Sequence, residues 1–158
     1  MPRMRNDGWV DEELYKKFRG LMPIASVDIL PVHKSNLLLM LRNNEPGKDL
    51  WFVPGGRVRY GETLEQAAIR KLSEETGLSA ITIEKKGAMS HLWPKAHYVT
   101  TFFRADVSDD KVKMNDEHRD YKWISAITDD LHTYLKQMIK EAGIFTENSP
   151  KRTPTSIN

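Results

Sequence analysis

An α+β fold, with a mixed β-sheet between helices, is what three features of this 158-residue sequence predict. Apolar runs of strand length recur at 22–32, 37–42, 50–54 and 97–107. A helical stretch starting at Thr63 and closing at Gly77 interrupts them, and a second one follows the last strand at 128–142. Strands separated by amphipathic helices, with no internal repeat, describe helices packed on the faces of one sheet.

Residues 11–19 read as a short helix opened by acids, and 22–32 as a strand. The run 37–42 is partly continuous in its apolar character, as expected of a strand buried on both sides. Residues 43–49 form a turn-rich connection, and the apolar run Leu50-Trp51-Phe52-Val53-Pro54 a short buried strand. Gly55-Gly56 then reads as a tight turn that lets a ligand approach the backbone closely. After the helix from Thr63, Gly77 suits a left-handed C-terminal cap. Strands follow at 80–86, 89–93, 97–107 and 121–124, then a final helix at 128–142 with Thr128 as N-cap and Gly143 at its end. These elements divide the chain into an extension over 1–19, a domain over 20–145 and a polar, proline-containing tail over 146–158.

The length suits one domain with a real core, and four Trp, five Tyr and five Phe supply aromatic material for it. A formal net charge of +2 argues against a nucleic-acid partner but suits an anionic small molecule. The absence of cysteine excludes a thiolate zinc site and fits a reducing compartment. Residues 1–17 lack the apolar core of a signal peptide, and no segment approaches a membrane span, so the cytoplasm is the expected location.

The richest segment is the helix after the paired glycines. Projected at about 100° per residue, Leu64, Ala67, Ala68 and Leu72 form one apolar face, and Glu75 falls inside that arc. A carboxylate facing a core is costly unless paired or bound to a cation. Glu74 stands at the margin of the face and Glu62 at the helix entrance, while Glu65 reads as an ordinary surface acid. Hard oxygen donors of this kind suit Mg²⁺ or Mn²⁺, which would also bridge substrate phosphates. Lys71, four residues before Glu75, is either its i,i+4 partner or, as the reading preferred here, a side chain running along the helix flank.

At these residues the chain resembles the Nudix hydrolase family, whose fold is an α/β/α sandwich. The family signature is met by Gly56, Glu62, Arg70, Leu72, Glu74, Glu75, Gly77 and Leu78. One position departs, since Lys71 stands where the family has an acid that supports the metals or the attacking water. That departure is similar to the GDP-mannose mannosyl hydrolase subgroup, which lacks the acid and directs water at the sugar carbon. Residues 51–58, 26–29, 38–42, 97–99 and 117–123 extend the likeness to roughly residues 20 to 125.

The resemblance implies Mg²⁺, or Mn²⁺, held by the Gly55 carbonyl, Glu75 and Glu117, with Glu74 as a further candidate. It implies His118 as general base, Arg57 on the leaving diphosphate, and Asp28, Arg42 and Tyr98 on the substrate. Glu117 replaces a glutamine and Glu74 is retained, which makes the site more acidic than in the subgroup and leaves room for a second metal. The implied reaction cleaves a nucleotide sugar into nucleoside diphosphate and free hexose with inversion, in a homodimer whose contact would involve the N-terminal segment. The competing readings are a diphosphatase that attacks phosphorus and a nucleotide sensor without turnover. Each residue also has a plainer role: Tyr98 and Trp93 as packing aromatics, Arg57 as a partner of nearby acids, and His118 as a structural histidine in the polar loop 115–120.

Overall fold

The computed structural model describes residues 5–146. Its elements are α1 (Glu12–Leu21), β1 (Ile24–His33), β2 (Asn36–Arg42), β3 (Trp51–Phe52), β4 (Gly55–Arg57), α2 (Leu64–Thr76), β5 (Ala80–Trp93), β6 (Ala96–Val107), β7 (His118–Ile124) and α3 (Thr133–Glu141). The strands form one sheet in the order β3-β2-β1-β6-β5, with β4 also paired to β1 and β7 to β2. β1 and β6 run parallel over Ile24–Val32, while β1 pairs antiparallel with β2 and β4. The sheet is therefore mixed, as expected.

Side-chain alternation along the central strands builds one core on each face. Val27, Ile29, Leu38, Met40, Phe103 and Ala105 pack against Ala67, Ala68 and Leu72 of α2. Leu30, Val32, Leu37, Leu39 and Phe102 point the other way, against Leu135, Met138 and Ile139 of α3. The continuous run Leu37-Leu38-Leu39-Met40 is completely buried because β2 feeds both cores.

Helix α2 begins and ends where the sequence places it. Thr63 accepts from the Gln66 amide while the Gln66 side chain accepts from the Thr63 amide, a reciprocal capping box. Gly77 closes the helix at φ 67°, a left-handed conformation that costs a residue without Cβ little.

Several elements differ from the sequence expectation. The glycines form no turn: Gly55 and Gly56 lie in β4, opposite Asp28 and Val27 of β1. A Cβ on Gly55 would collide with the Asp28 carboxylate and the Val27 carbonyl, so it is the neighbouring strand that comes close. The two strands expected over 80–93 are one, β5, carried through an irregularity at Lys85/Gly87. Gly87 leaves room there for Phe102, whose Cζ would stand 2.6 Å from an added Cβ. The last helix starts at Thr133 behind His132, whose side chain accepts from the Tyr134 amide. Thr128 instead opens a turn that delivers Leu131 to the core. His118 is the first residue of β7 rather than part of a loop. The expected tail, apart from Thr146, lies outside the described residues. Among the described residues, no helix is long and apolar enough to cross a membrane.

Candidate active site

A cavity of about 470 Å³ opens where β1, β4, α1 and α2 meet. Its walls include Asp28, Arg42, Gly55, Arg57, Lys71, Tyr98 and Glu117, which brings most of the sequence-predicted residues to one place. Ser26 and Thr100, bonded at 2.6 Å, belong to the same wall because β1 and β6 pair them in register.

Three carboxylates surround one charge, the Lys71 ammonium: Glu74 and Glu75 of α2, and Glu117, which precedes β7 and is the one of the three that lines the cavity. Nζ lies 2.8 Å from Glu75 Oε1, 3.4 Å from Glu117 Oε1 and 3.6 Å from Glu74 Oε2. The expectation that Lys71 runs along the helix flank is therefore corrected: it is buried, and its stem lies over Gly56, where a Cβ would meet Cε at 2.7 Å. Burial opposes its charge, but Glu75, Glu117 and Glu74 together hold its pKa above the ordinary lysine value. Glu75 is 1% exposed and accepts from the Gly55 amide through Oε2. Burial raises its pKa, and Lys71 works against that rise.

Glu62 has a bracing role that its place at the helix entrance did not reveal. It grips Arg70 through Nε at 2.6 Å and Nη2 at 2.9 Å and accepts from the Arg59 amide. Arg70 also donates to the Arg57 carbonyl. This fork ties the segment after β4 onto α2, between two residues that the sequence marked only as positions of the family signature.

Arg57 is held mainly by aromatic rings and not by acids. Its Cζ lies 4.1 Å from the Trp9 ring centroid and 3.4 Å from that of Tyr15, with Glu12 only at 4.0 Å. Tyr15 Oη is in turn 2.8 Å from Tyr98 Oη. The segment expected as a dimer contact thus packs on the site of its own chain. Trp9 and Tyr15 are site residues that the sequence reading missed, because a contact spanning more than forty residues leaves no local pattern.

His118 stands apart from the other expected residues. The His118 side chain is completely buried and forms no part of the cavity wall; its Nε2 lies 3.6 Å from Glu75 Oε2. Burial, reinforced by Arg42, lowers its pKa to about 4. Pairing of β7 with β2, irregular between Leu41 and Arg42, directs this ring behind Glu75 instead of toward solvent. Asp28 does reach the cavity. Its pKa is pushed up to about 7 by burial, opposed by Arg42 and assisted by Glu75.

At the far end of the cavity, Phe52, His91 and Trp93 form an aromatic wall backed by His132 and Tyr134. Burial, with a smaller contribution from His132, lowers the His91 pKa to about 4. The unfolded chain then binds the proton more strongly, so this group's contribution is complete above about pH 6.5 and is lost as pH falls toward 4. Replacing His91 by Phe should remove roughly 2 kcal/mol of the stability lost between pH 6.5 and 4.5. Urea denaturation of both proteins at the two pH values measures it; equal losses would show that His91 titrates normally.

The residues expected to hold a divalent cation are two carboxylates of hard oxygen, Glu75 and Glu117, beside Gly55. Glu75 Oε1 is buried and faces the Lys71 ammonium at 2.8 Å, so this oxygen already serves a positive charge and the donor set suits a cation. Among the described residues, no three histidine, aspartate or glutamate side chains converge as a metal cluster.

Fold and site together define a class. Residues 22–139 match the NUDIX domain, and the chain belongs to that family of hydrolases. It is 34% identical over 127 residues to the low-salt glycan biosynthesis protein Agl8 of Haloferax volcanii, covering 75% of this chain and 81% of that one. It is also 34% identical over 108 residues to the ADP-ribose pyrophosphatase of Methanocaldococcus jannaschii, covering 66% and 64% respectively. The structure matches that of the MutT protein from Methanosarcina mazei Go1 with a TM-score of 0.70 at 26% identity, across 78% of this chain and 95% of the other.

Proposed function

We propose that this Nudix hydrolase cleaves a nucleotide sugar of the GDP-mannose type at the sugar carbon, releasing nucleoside diphosphate and free hexose. The observation that carries the reading is the Lys71 ammonium among Glu75, Glu117 and Glu74. Attack at phosphorus in this family calls on an acid at position 71, whereas departure of a diphosphate calls for positive charge. Lys71, Arg57 and Arg42 supply that charge from one cavity wall. Likeness to a glycan biosynthesis protein supports a sugar-bearing substrate.

In the proposed reaction, a water oxygen attacks the anomeric carbon as the bond from that carbon to the diphosphate oxygen breaks. The bonding pair leaves on the diphosphate, where the planar fork of Arg57 suits phosphate oxygens. The proton of the water passes to the Asp28 carboxylate, which lines the cavity and is poised near neutrality. Such a leaving group needs no protonation, so the acid of a two-carboxylate glycosidase is not required. A Mg²⁺ or Mn²⁺ ion held by Glu75, Glu117 and the Gly55 carbonyl would add Lewis-acid stabilisation of the diphosphate. His118 packs behind Glu75, with Nε2 3.6 Å from Glu75 Oε2, and takes no proton in this scheme.

The ADP-ribose pyrophosphatase relative favours a second reading, hydrolysis between the phosphorus atoms. A panel of GDP-mannose, GDP-glucose, UDP-glucose and ADP-ribose, followed by ³¹P NMR, separates the two. Nucleoside diphosphate with free sugar supports the proposal; nucleoside monophosphate with a sugar phosphate replaces it by the second reading.

A further inference from the structure

We infer that Lys71 is a tethered cation occupying the position between Glu75 and Glu117, and that a divalent ion binds there only by displacing its ammonium toward Glu74. The inference deepens the reading of this site, but it concerns ion binding without substrate and does not depend on which bond is cut.

Three observations carry it. The ammonium is in ion-pair range of Glu75 and Glu117 at once, at 2.8 and 3.4 Å. Its position is built in: the stem fills the groove left by the missing side chain of Gly56, and only 9% of the side chain is exposed. A third carboxylate, Glu74, stands 3.6 Å away on the more exposed side, giving the charge somewhere to go.

Divalent ions of this class coordinate oxygen at about 2.0–2.1 Å. Such an ion between Glu75 and Glu117 would share their oxygens with the ammonium, placing three positive charges over two carboxylates. Like charges at that range repel strongly in a buried site. The two cations are therefore alternatives, and these oxygens take at most one divalent ion. Glu74 is already shared with Arg59 and Arg70, so the displaced ammonium enters a crowded position and opposes metal binding throughout. In the metal-free protein, the lysine also neutralises Glu75, a carboxylate that would otherwise be buried and unpaired.

The test uses the full chain with Mn²⁺ alone, followed by the electron paramagnetic resonance of the free ion. Lys71→Met keeps the stem over Gly56 and removes the charge. It should bind a single Mn²⁺ at least about tenfold more tightly than wild type. Affinity within about twofold of wild type, or two ions bound per wild-type chain, overturns the inference. A second measurement needs no variant. Acylation of Lys71 by an amine-reactive ester, read by mass spectrometry, should be slow without metal and should rise at least about threefold across a Mg²⁺ titration as the ammonium leaves its burial. A flat or falling profile overturns the inference even if the variant does not fold.

Discussion

Asp28→Asn should lower kcat by about 10²- to 10⁴-fold, the usual contribution of a positioned general base, while KM stays within about threefold. The prediction rests on the cavity wall, which includes Asp28 and leaves His118 behind it. It also carries a stability signature. Burial raises the Asp28 pKa from 3.8 to about 7, so the folded state binds its proton more strongly than the unfolded chain does. Charging Asp28 therefore costs stability as pH rises through that value, and the cost is relieved as pH falls. A neutral asparagine avoids it, so the variant should melt no lower than wild type at pH 8. Loss of activity without loss of stability separates a chemical role from a structural one. If His118→Gln abolishes turnover while Asp28→Asn leaves it intact, the base is His118 and the site opens to expose it.

The second large effect concerns Arg57. Arg57→Ala should cost about 10²- to 10³-fold in kcat/KM, the scale of removing one preorganised donor from a developing negative charge. Arg57→Lys should recover little of this. An ammonium neither binds phosphate through a planar fork nor stacks on aromatic faces as a guanidinium can, and Arg57 Cζ stands over both Trp9 and Tyr15. Tyr15→Phe keeps the ring over Arg57 and should stay close to wild type, whereas Tyr15→Ala should raise KM by about tenfold. Steady-state kinetics of the four variants measure the series. Near-wild-type activity of Arg57→Lys would mean that only charge matters at this position.

What could be read from the sequence follows from the range of the forces involved. The helix start at Thr63, the left-handed Gly77 and the inward-facing Glu75 are properties of one helix, fixed by its own periodicity. The double-sided burial of β2 is likewise written in four consecutive apolar residues. Lys71 was harder, because the direction of a flexible stem depends on free space, and Gly56 provides that space from another element. His118 was harder still. Its burial depends on how β7 registers against β2, and a single irregularity between Leu41 and Arg42 helps set which way the ring points. The Trp9 and Tyr15 contacts with Arg57 join an extension to the domain across the fold, beyond any spacing rule.

The destination of the attacking oxygen bears most directly on the whole account. With a substrate turned over in H₂¹⁸O, mass spectrometry of the products should find the heavy atom on the anomeric hydroxyl of the released hexose and none on phosphorus. Heavy oxygen on a phosphate would contradict carbon attack and make Lys71 part of a phosphoryl-transfer site.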